Sequence, residues 1–521
     1  MSHRPLVRAA LALLLAVAGL TGAETADAGA RRAGELFAGA RGWLNTETPL
    51  TKDMLAGQVV LIDFWTYCCI NCMHVMPDLK ALEAKYHDQP LVVVGVHSGK
   101  FDQEKDLANI RAAVLRNHLV HPVAVDSDFA IWNRLGVRSW PTLALLDTHG
   151  NIADAWAGEG HRAEMDAAIA KAIAAGQADG SLAKAPLRFT PEHDAAADGV
   201  LAFPGKVLAD AAGKRLFIAD TAHHRVLVAG LDGAVQAVLG SGHPELADGI
   251  GSAAAFNEPE GLALSEDGQT LFVCDRQNHA LRAVDLATRA VTTLAGNGEQ
   301  GNDRNYQGPA KDARLNSPWD VVRVGTQLFI AMAGHHQIWS YDLAAQTIGV
   351  HAGSGREICT DGPQRTAAFA QPSGLAAGDS ALYVADSEVS SVRAVDLTAA
   401  GRTRTLAGSG DLFGFGLVDG HSGDARFQHP LGVALGSGPR GPLLVVADTY
   451  NQRLRTVDPL SGEVATLALP GLPAPAGLFE PGGLSIAAGT IYVADTNHHR
   501  IVACALDGSG ARVIAITLPK P

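Results

Sequence analysis

The chain has 521 residues, 47% of them apolar and 18% charged, which describes a folded protein of two or more domains and excludes a disordered one. A formal net charge of −13 excludes nucleic acid or an anionic membrane as the main partner, since both would repel it. Six cysteines in this length do not make a disulfide scaffold: Cys68, Cys69 and Cys72 cluster, and Cys274, Cys359 and Cys504 scatter, which reads as one reactive site plus incidental thiols.

In chain order, Arg4 and Arg8 precede an apolar run over residues 9–20 and then Thr21-Gly22-Ala23. This is the layout of a signal peptide over residues 1–23, with cleavage after Ala23 or Ala26 and an uncleaved anchor as the alternative. The run is short for a bilayer span, and no other stretch is long and apolar enough, so no stable membrane span is expected. Export to an oxidising compartment follows, a bacterial periplasm or the exterior.

Residues 30–177 read as helix or loop to 45, strand 58–65, helix 69–87, strand 90–97, helix 103–118, strand 121–126, short helix 128–134, strands 142–147 and 152–157, and helix 161–175. Strands alternating with helices argue for an α/β sheet covered on both faces. The apolar, β-branched strand ends in Cys69-Ile70-Asn71-Cys72, and Met76, Leu79, Leu82 and Tyr86 then follow at helical spacing. Unpaired N–H groups and a partial positive charge at a helix start favour a thiolate at Cys69, which becomes the nucleophile. Cys72, one turn deeper, can reach back to form a disulfide and would be the resolving thiol. Half of a zinc site, with His74 and His87 adding nitrogens, is the competing reading, but no second Cys-x-x-Cys exists. Neither a metal nor another cofactor is expected beyond a Cys69–Cys72 disulfide.

The segment Phe64-Trp65-Thr66-Tyr67-Cys68-Cys69-Ile70-Asn71-Cys72 resembles the active-site segment of the thioredoxin family. Asp63 falls at that family's buried carboxylate, Pro77 at its helix-kinking proline and Trp140-Pro141 at its cis-proline loop; at such a place Asp63 is expected to be buried, raised in pKa and able to take the Cys72 proton through water. The resemblance implies a cis bond before Pro141, a backbone there that pairs with a substrate peptide, and Trp65 and Trp140 as substrate contacts. It departs in having Cys68 where a tryptophan is common and Ile70-Asn71 for the usual Gly-Pro. Cys68 is therefore either an accessory thiol or a filler of that space, and the direction of electron flow stays open.

Residues 178–199, rich in Ala, Asp and Gly, read as a linker. From 200 to 521 a unit repeats six times: a proline, a short strand, and a second strand ending in Ala-Asp before a polar turn. The prolines are Pro204, Pro259, Pro318, Pro372, Pro430 and Pro481; the aspartates are Asp220, Asp275, Asp386, Asp448 and Asp495, with Met332 in the third copy. Six copies of about four strands predict a six-bladed all-β propeller. The motif resembles the NHL repeat, and the whole chain resembles the family joining an α/β thioredoxin-like domain to such a propeller. The aspartates are expected to organise the turn between second and third strands. The paired histidines 223/224, 335/336 and 498/499 recur at one repeat position, which favours a turn or inter-blade role over a metal site. Cys274 stands where other copies have Ala and reads as a core residue; Cys359 is expected in a polar loop.

The expected function is that of an exported thiol–disulfide oxidoreductase acting on protein thiols and disulfides with a separate electron donor or acceptor. The propeller would bind a protein partner on a face enlarged by the insertions 296–316 and 408–428. A scaffold with a sensing or vestigial dithiol is the alternative, and a metal-dependent propeller enzyme a third.

Overall fold

A computed structural model describes residues 36–519, apart from 196, 399, 474 and 476. The apolar N-terminal run lies outside the described residues. No helix among those described is long and apolar enough to cross a membrane.

The first domain comprises β1 (Gly42–Leu44), α1 (Lys52–Leu55), β2 (Val59–Trp65), α2 (Ile70–Lys85), β3 (Leu91–His97), α3 (Leu107–Arg116), β4 (Val123–Val125), α4 (Ala130–Leu135), β5 (Thr142–Leu146), β6 (Ile152–Ala157) and α5 (Arg162–Asp179). The sheet order is β1-β4-β3-β2-β5-β6, with β2, β3 and β4 parallel and the rest antiparallel. β2 is buried along its whole length because both faces are covered. Val60, Ile62 and Phe64 pack toward α4, whereas Val59 and Leu61 pack with Val75 and Leu79 of α2 and Ile169 of α5. β1, which the sequence reading left within a helix or loop, exists because its backbone pairs with β4.

Six radial sheets follow, with innermost strands at 206–210, 259–264, 318–324, 372–377, 432–438 and 481–487. The four middle blades gain a fifth short strand from the segment preceding them. The ring closes where Gly483 N–H donates to the Gly205 carbonyl (2.6 Å) and where Thr517 pairs beside Ala234.

Four of the five repeat aspartates hold the turn after the second strand, as expected, through a side chain three residues on (His223, Asn278, Asn451 and His498, at 2.8–2.9 Å), and all five do more. One oxygen of Asp220, Asp275, Asp386, Asp448 and Asp495 accepts, at 2.7 Å, the N–H two residues before the proline of the same blade. It thus ties down the segment entering the blade. The other oxygen meets an arginine: Arg282, Arg393 and Arg455, seven residues on and fully buried, or Arg225 and Arg500, five residues on. In the third blade both partners change together, Met332 for the aspartate and Trp339 for the arginine, and both are buried in one apolar cluster. An apolar pair of similar bulk replaces a buried ion pair, a trade proteins tolerate well.

The paired histidines divide the work. His223 and His498 bond the repeat aspartate through Nδ1 (2.8 and 2.9 Å). His224, His336 and His499, joined by His279, accept through Nδ1 the backbone N–H of the residue before the next proline around the ring, at 3.0–3.2 Å. Burial pushes His224 down to about 4 and His279 and His336 to about 3, so each ring stays neutral with a free acceptor nitrogen.

Candidate active site at the domain junction

Cys69 is the N-cap of α2, with an extended backbone, and Cys72 lies one turn inside. Both are free thiols, 5% and 0% exposed. Burial, a hydrogen bond that the Cys72 thiol donates to Cys69, and the charges of Cys69 and Asp63 raise Cys72 well above the ordinary thiol range. Asp63, on β2, is 2% exposed, and burial raises its carboxyl to about 7 against an opposing pull from His121. The Trp140–Pro141 bond is cis. The Pro141 carbonyl accepts from Gly158 N–H (2.9 Å), and Trp140 donates through Nε1 to the Ser98 carbonyl (3.0 Å) while packing on the cysteine cluster.

Two expected roles change. Trp65 has no exposed surface and meets His97 edge-on at 4.8 Å, so in this arrangement it reaches no partner peptide. Cys68 is fully buried with its N–H on Glu104 Oε1 (2.8 Å). Burial and then the charges of Glu104 and Glu388 push its thiol up, which suits a space-filling side chain rather than an accessory nucleophile. The nitrogens proposed for a zinc half-site are engaged elsewhere: His74 bonds Glu159 and Ser317, and His87 lies exposed beside Asp88. Cys274 is buried in the core; Cys359 is half-buried near Thr405 Oγ1 (3.6 Å).

What covers the dithiol is the propeller. The residue before each blade's proline stands at positive φ: Phe203, Glu258, Ser317, Gln371, His429 and Glu480, with φ of 45–62°. Five of the six touch the thioredoxin-like domain directly, and Glu258 acts through Arg276. The Gln371 amide accepts from Ile70 N–H (2.9 Å), the first N–H of α2, and donates to the Cys68 carbonyl (2.8 Å). Glu480 accepts from the Tyr67 hydroxyl (2.9 Å) and Arg116 (3.1 Å); Ser317 Oγ lies 2.7 Å from His74 Nε2. His429 packs on Phe101 at 5.2 Å, and Phe203 packs with Ala112 of α3. Glu258 pairs with Arg276, which reaches Met73 Sδ at 3.7 Å. Beyond this ring, Glu388 of the fourth blade holds Lys100 at 2.6 Å, the two side chains 0% and 7% exposed. The insertions also contribute, Gln300 to His74 (2.9 Å) and Phe415 to Phe101 (4.9 Å).

Sequence reasoning missed Gln371, Glu388, Lys100 and His121. A signal for the ring was present: at the position before the proline the six copies carry five residue types, while the proline itself repeats.

The description "Thioredoxin-like" matches residues 57–152, and "NHL repeat" matches residues 480–504. Protein SUPPRESSOR OF QUENCHING 1, chloroplastic, of Arabidopsis thaliana is 44% identical over 484 residues, 88% of this chain and 45% of that protein. NHL repeat-containing protein 2 of Homo sapiens is 40% identical over 514 residues, 91% of this chain and 70% of that protein. Thiol-disulfide oxidoreductase YkuV of Bacillus subtilis is 31% identical over 121 residues, 23% of this chain and 80% of YkuV. The chain thus spans under half the length of the Arabidopsis relative. With a thioredoxin-like domain seated on a six-bladed propeller and this identity along most of its length, the chain belongs to the family of NHL repeat-containing protein 2.

Proposed function

We propose that the chain is an exported thiol–disulfide oxidoreductase whose dithiol is governed by the propeller. The observation that carries this reading is the placement of Asp63, buried and raised to about 7, where its charge is felt by the resolving thiol Cys72. A carboxyl of that pKa changes protonation near neutral pH, as a proton acceptor for a thiol must. In the reducing direction, Cys69 thiolate attacks a substrate disulfide R–S–S–R′ and expels R′S⁻. Cys72 passes its proton to Asp63 and attacks Cys69 Sγ, expelling RS⁻. The Cys69–Cys72 disulfide forms, and the two electrons of the dithiol end on the two substrate sulfurs. An electron donor that reduces Cys69–Cys72 completes the cycle; run backward, the same steps oxidise a substrate dithiol.

Gln371 gives the propeller its part. It holds the Ile70 N–H that would otherwise stabilise negative charge at the helix start. With Cys69 only 5% exposed, a protein substrate gains access when the two domains separate. The propeller face bearing the pre-proline ring is filled by the chain's own domain, so binding of a second protein falls to the remaining surface. The test is dithiothreitol-driven insulin reduction by the full chain, with Cys72→Ser used to trap mixed disulfides in cells. Turnover and trapped clients are expected; a folded protein giving neither rejects the reading.

The burial of Cys69 also favours a second reading, in which the dithiol senses redox state and its oxidation changes domain docking. It predicts that oxidised and reduced chains differ in compactness by small-angle scattering while insulin is not turned over.

A further inference from the structure

Three buried polar atoms near Cys72 have no hydrogen-bond partner: Asp63 Oδ1, Trp65 Nε1 and His121 Nε2. They gather at one spot. Asp63 stands opposite Gly95 in the parallel β2–β3 register. A methyl group on Gly95 would sit 2.9 Å from Trp65 Nε1, 3.2 Å from Val123 Cγ2 and 3.4 Å from His121 Nε2. The missing side chain thus lets the indole and the imidazole close onto the strand beside Asp63, near enough for the His121 charge to pull the Asp63 carboxyl down. The other nitrogen of His121, Nδ1, lies 3.2 Å from Glu83 Oε1, and both residues line a groove of about 520 Å³ between α2 and residues 186–191. His121 is 3% exposed, and the Glu83 side chain is 21% exposed.

We infer that Asp63 exchanges its proton with solvent through His121 and then Glu83, so that His121 and Glu83 are positioning residues of the dithiol reaction. The inference rests on the reading of Cys69 and Cys72 as an exchanging pair. The need for such a path follows from burial. Cys72 is fully buried and Asp63 nearly so, and the propeller covers the mouth of the site, so a proton taken from Cys72 has no direct way to water. Imidazole suits the middle position because it receives at one nitrogen while releasing at the other. The proton leaves Cys72 for Asp63 as the Cys69–Cys72 bond forms and RS⁻ departs. It then passes from Asp63 to His121 and from His121 to Glu83, which restores the carboxylate. The titratable groups facing the path are Cys72, Lys80 and Glu83 from α2, Asp63 from β2, and His118 and His121 from the segment before β4.

The experiment compares the full chain with His121→Asn and Glu83→Gln in two measurements. The first loads Cys69 with a chromophoric aryl thiol as a mixed disulfide and follows its release by Cys72 in a single turnover across pH. Release is expected to slow about tenfold or more in both variants, within the range a positioned proton acceptor supplies, and added imidazole is expected to restore His121→Asn. The second follows the Asp63 carboxyl by infrared difference against Asp63→Asn, without any turnover. Replacing His121, which opposes the effect of burial on Asp63, is expected to move the midpoint of that carboxyl upward. Release rates within twofold of the parent in Glu83→Gln and in folded His121→Asn, with an unmoved Asp63 midpoint, overturn the relay. A shifted midpoint and slowed release in a chain that never reduces insulin retain the relay and reject the oxidoreductase reading instead.

Discussion

Replacing Glu388 by alanine tests whether the propeller guards the dithiol. Glu388 and Lys100 form an ion pair at 2.6 Å between the two domains, with side chains 0% and 7% exposed. Removing one member leaves the other charge buried and unpaired, which costs roughly 3–5 kcal/mol. Because the pair spans the junction, that cost falls on docking rather than on either domain's own core. At about 1.4 kcal/mol per tenfold, the open population rises by about two to three orders of magnitude. The assay is the second-order rate of Cys69 alkylation in native protein, resolved by peptide mapping, with Glu463→Ala as control. Glu463 pairs with Arg440 where the side chains are 44% and 79% exposed, so its loss is expected to change little, about 0–1 kcal/mol. Lys100→Met/Glu388→Leu is expected to return the rate toward that of the parent, since apolar packing replaces a buried pair well. An alkylation rate for Glu388→Ala within twofold of the parent would refute the guarding role.

Gln371→Ala removes both bonds that the amide makes to the start of α2; a loss of about 1–3 kcal/mol and faster Cys69 alkylation are expected, read in the same assay. Asp63→Asn is expected to stabilise the chain above pH 7 and to leave it nearly unchanged at pH 4. The Asp63 carboxyl is raised from 3.8 to about 7, so the folded form holds an extra proton between those values, and stability falls by up to about 4 kcal/mol as pH rises through that window. Thermal melts of both proteins from pH 4 to 8 check the sign. The inter-blade imidazoles act oppositely: their folded values near 3–4 lie below 6.5, so stability falls as pH drops through that range, and His336→Leu is expected to weaken the acid dependence of urea unfolding. Met332→Asp places an unpaired carboxylate in the third blade and is expected to cost about 3 kcal/mol or more, with partial recovery in Met332→Asp/Trp339→Arg.

The fold was legible because its signals are local. An apolar run ending at Cys69, helical spacing after it and a proline-to-aspartate unit six times over each report on a few neighbouring residues. Asp63 and Pro141 were singled out by the resemblance to the thioredoxin family, and the buried carboxyl and the cis Trp140–Pro141 bond agree with it. Gln371 and Glu388 were not, because they meet the dithiol segment across about three hundred residues and no periodicity links them to it. Trp65 was misassigned because its neighbours in sequence border the site, while its ring turns into the core against His97. The repeat aspartates were recognised and four of them do bond a side chain of the adjacent turn, but their second partner, the N–H at the blade entrance some sixteen to twenty residues upstream, has no local signal.

The positive-φ positions before the prolines carry a consequence for how this architecture can change. At five of the six the backbone is fixed by the ring: the N–H of Phe203, Glu258, Ser317 and Gln371 goes to an imidazole of the preceding blade, and that of His429 to Ser390 Oγ (3.2 Å). Holding a non-glycine residue there costs about 1–2 kcal/mol. Glu258, His429 and Glu480 also touch Arg276, Tyr450 and Asn497 of their own blades, so the six side chains form an address written on a repeated frame, in which a letter and its blade partner change together. A different set of six would seat a different domain, or release this one.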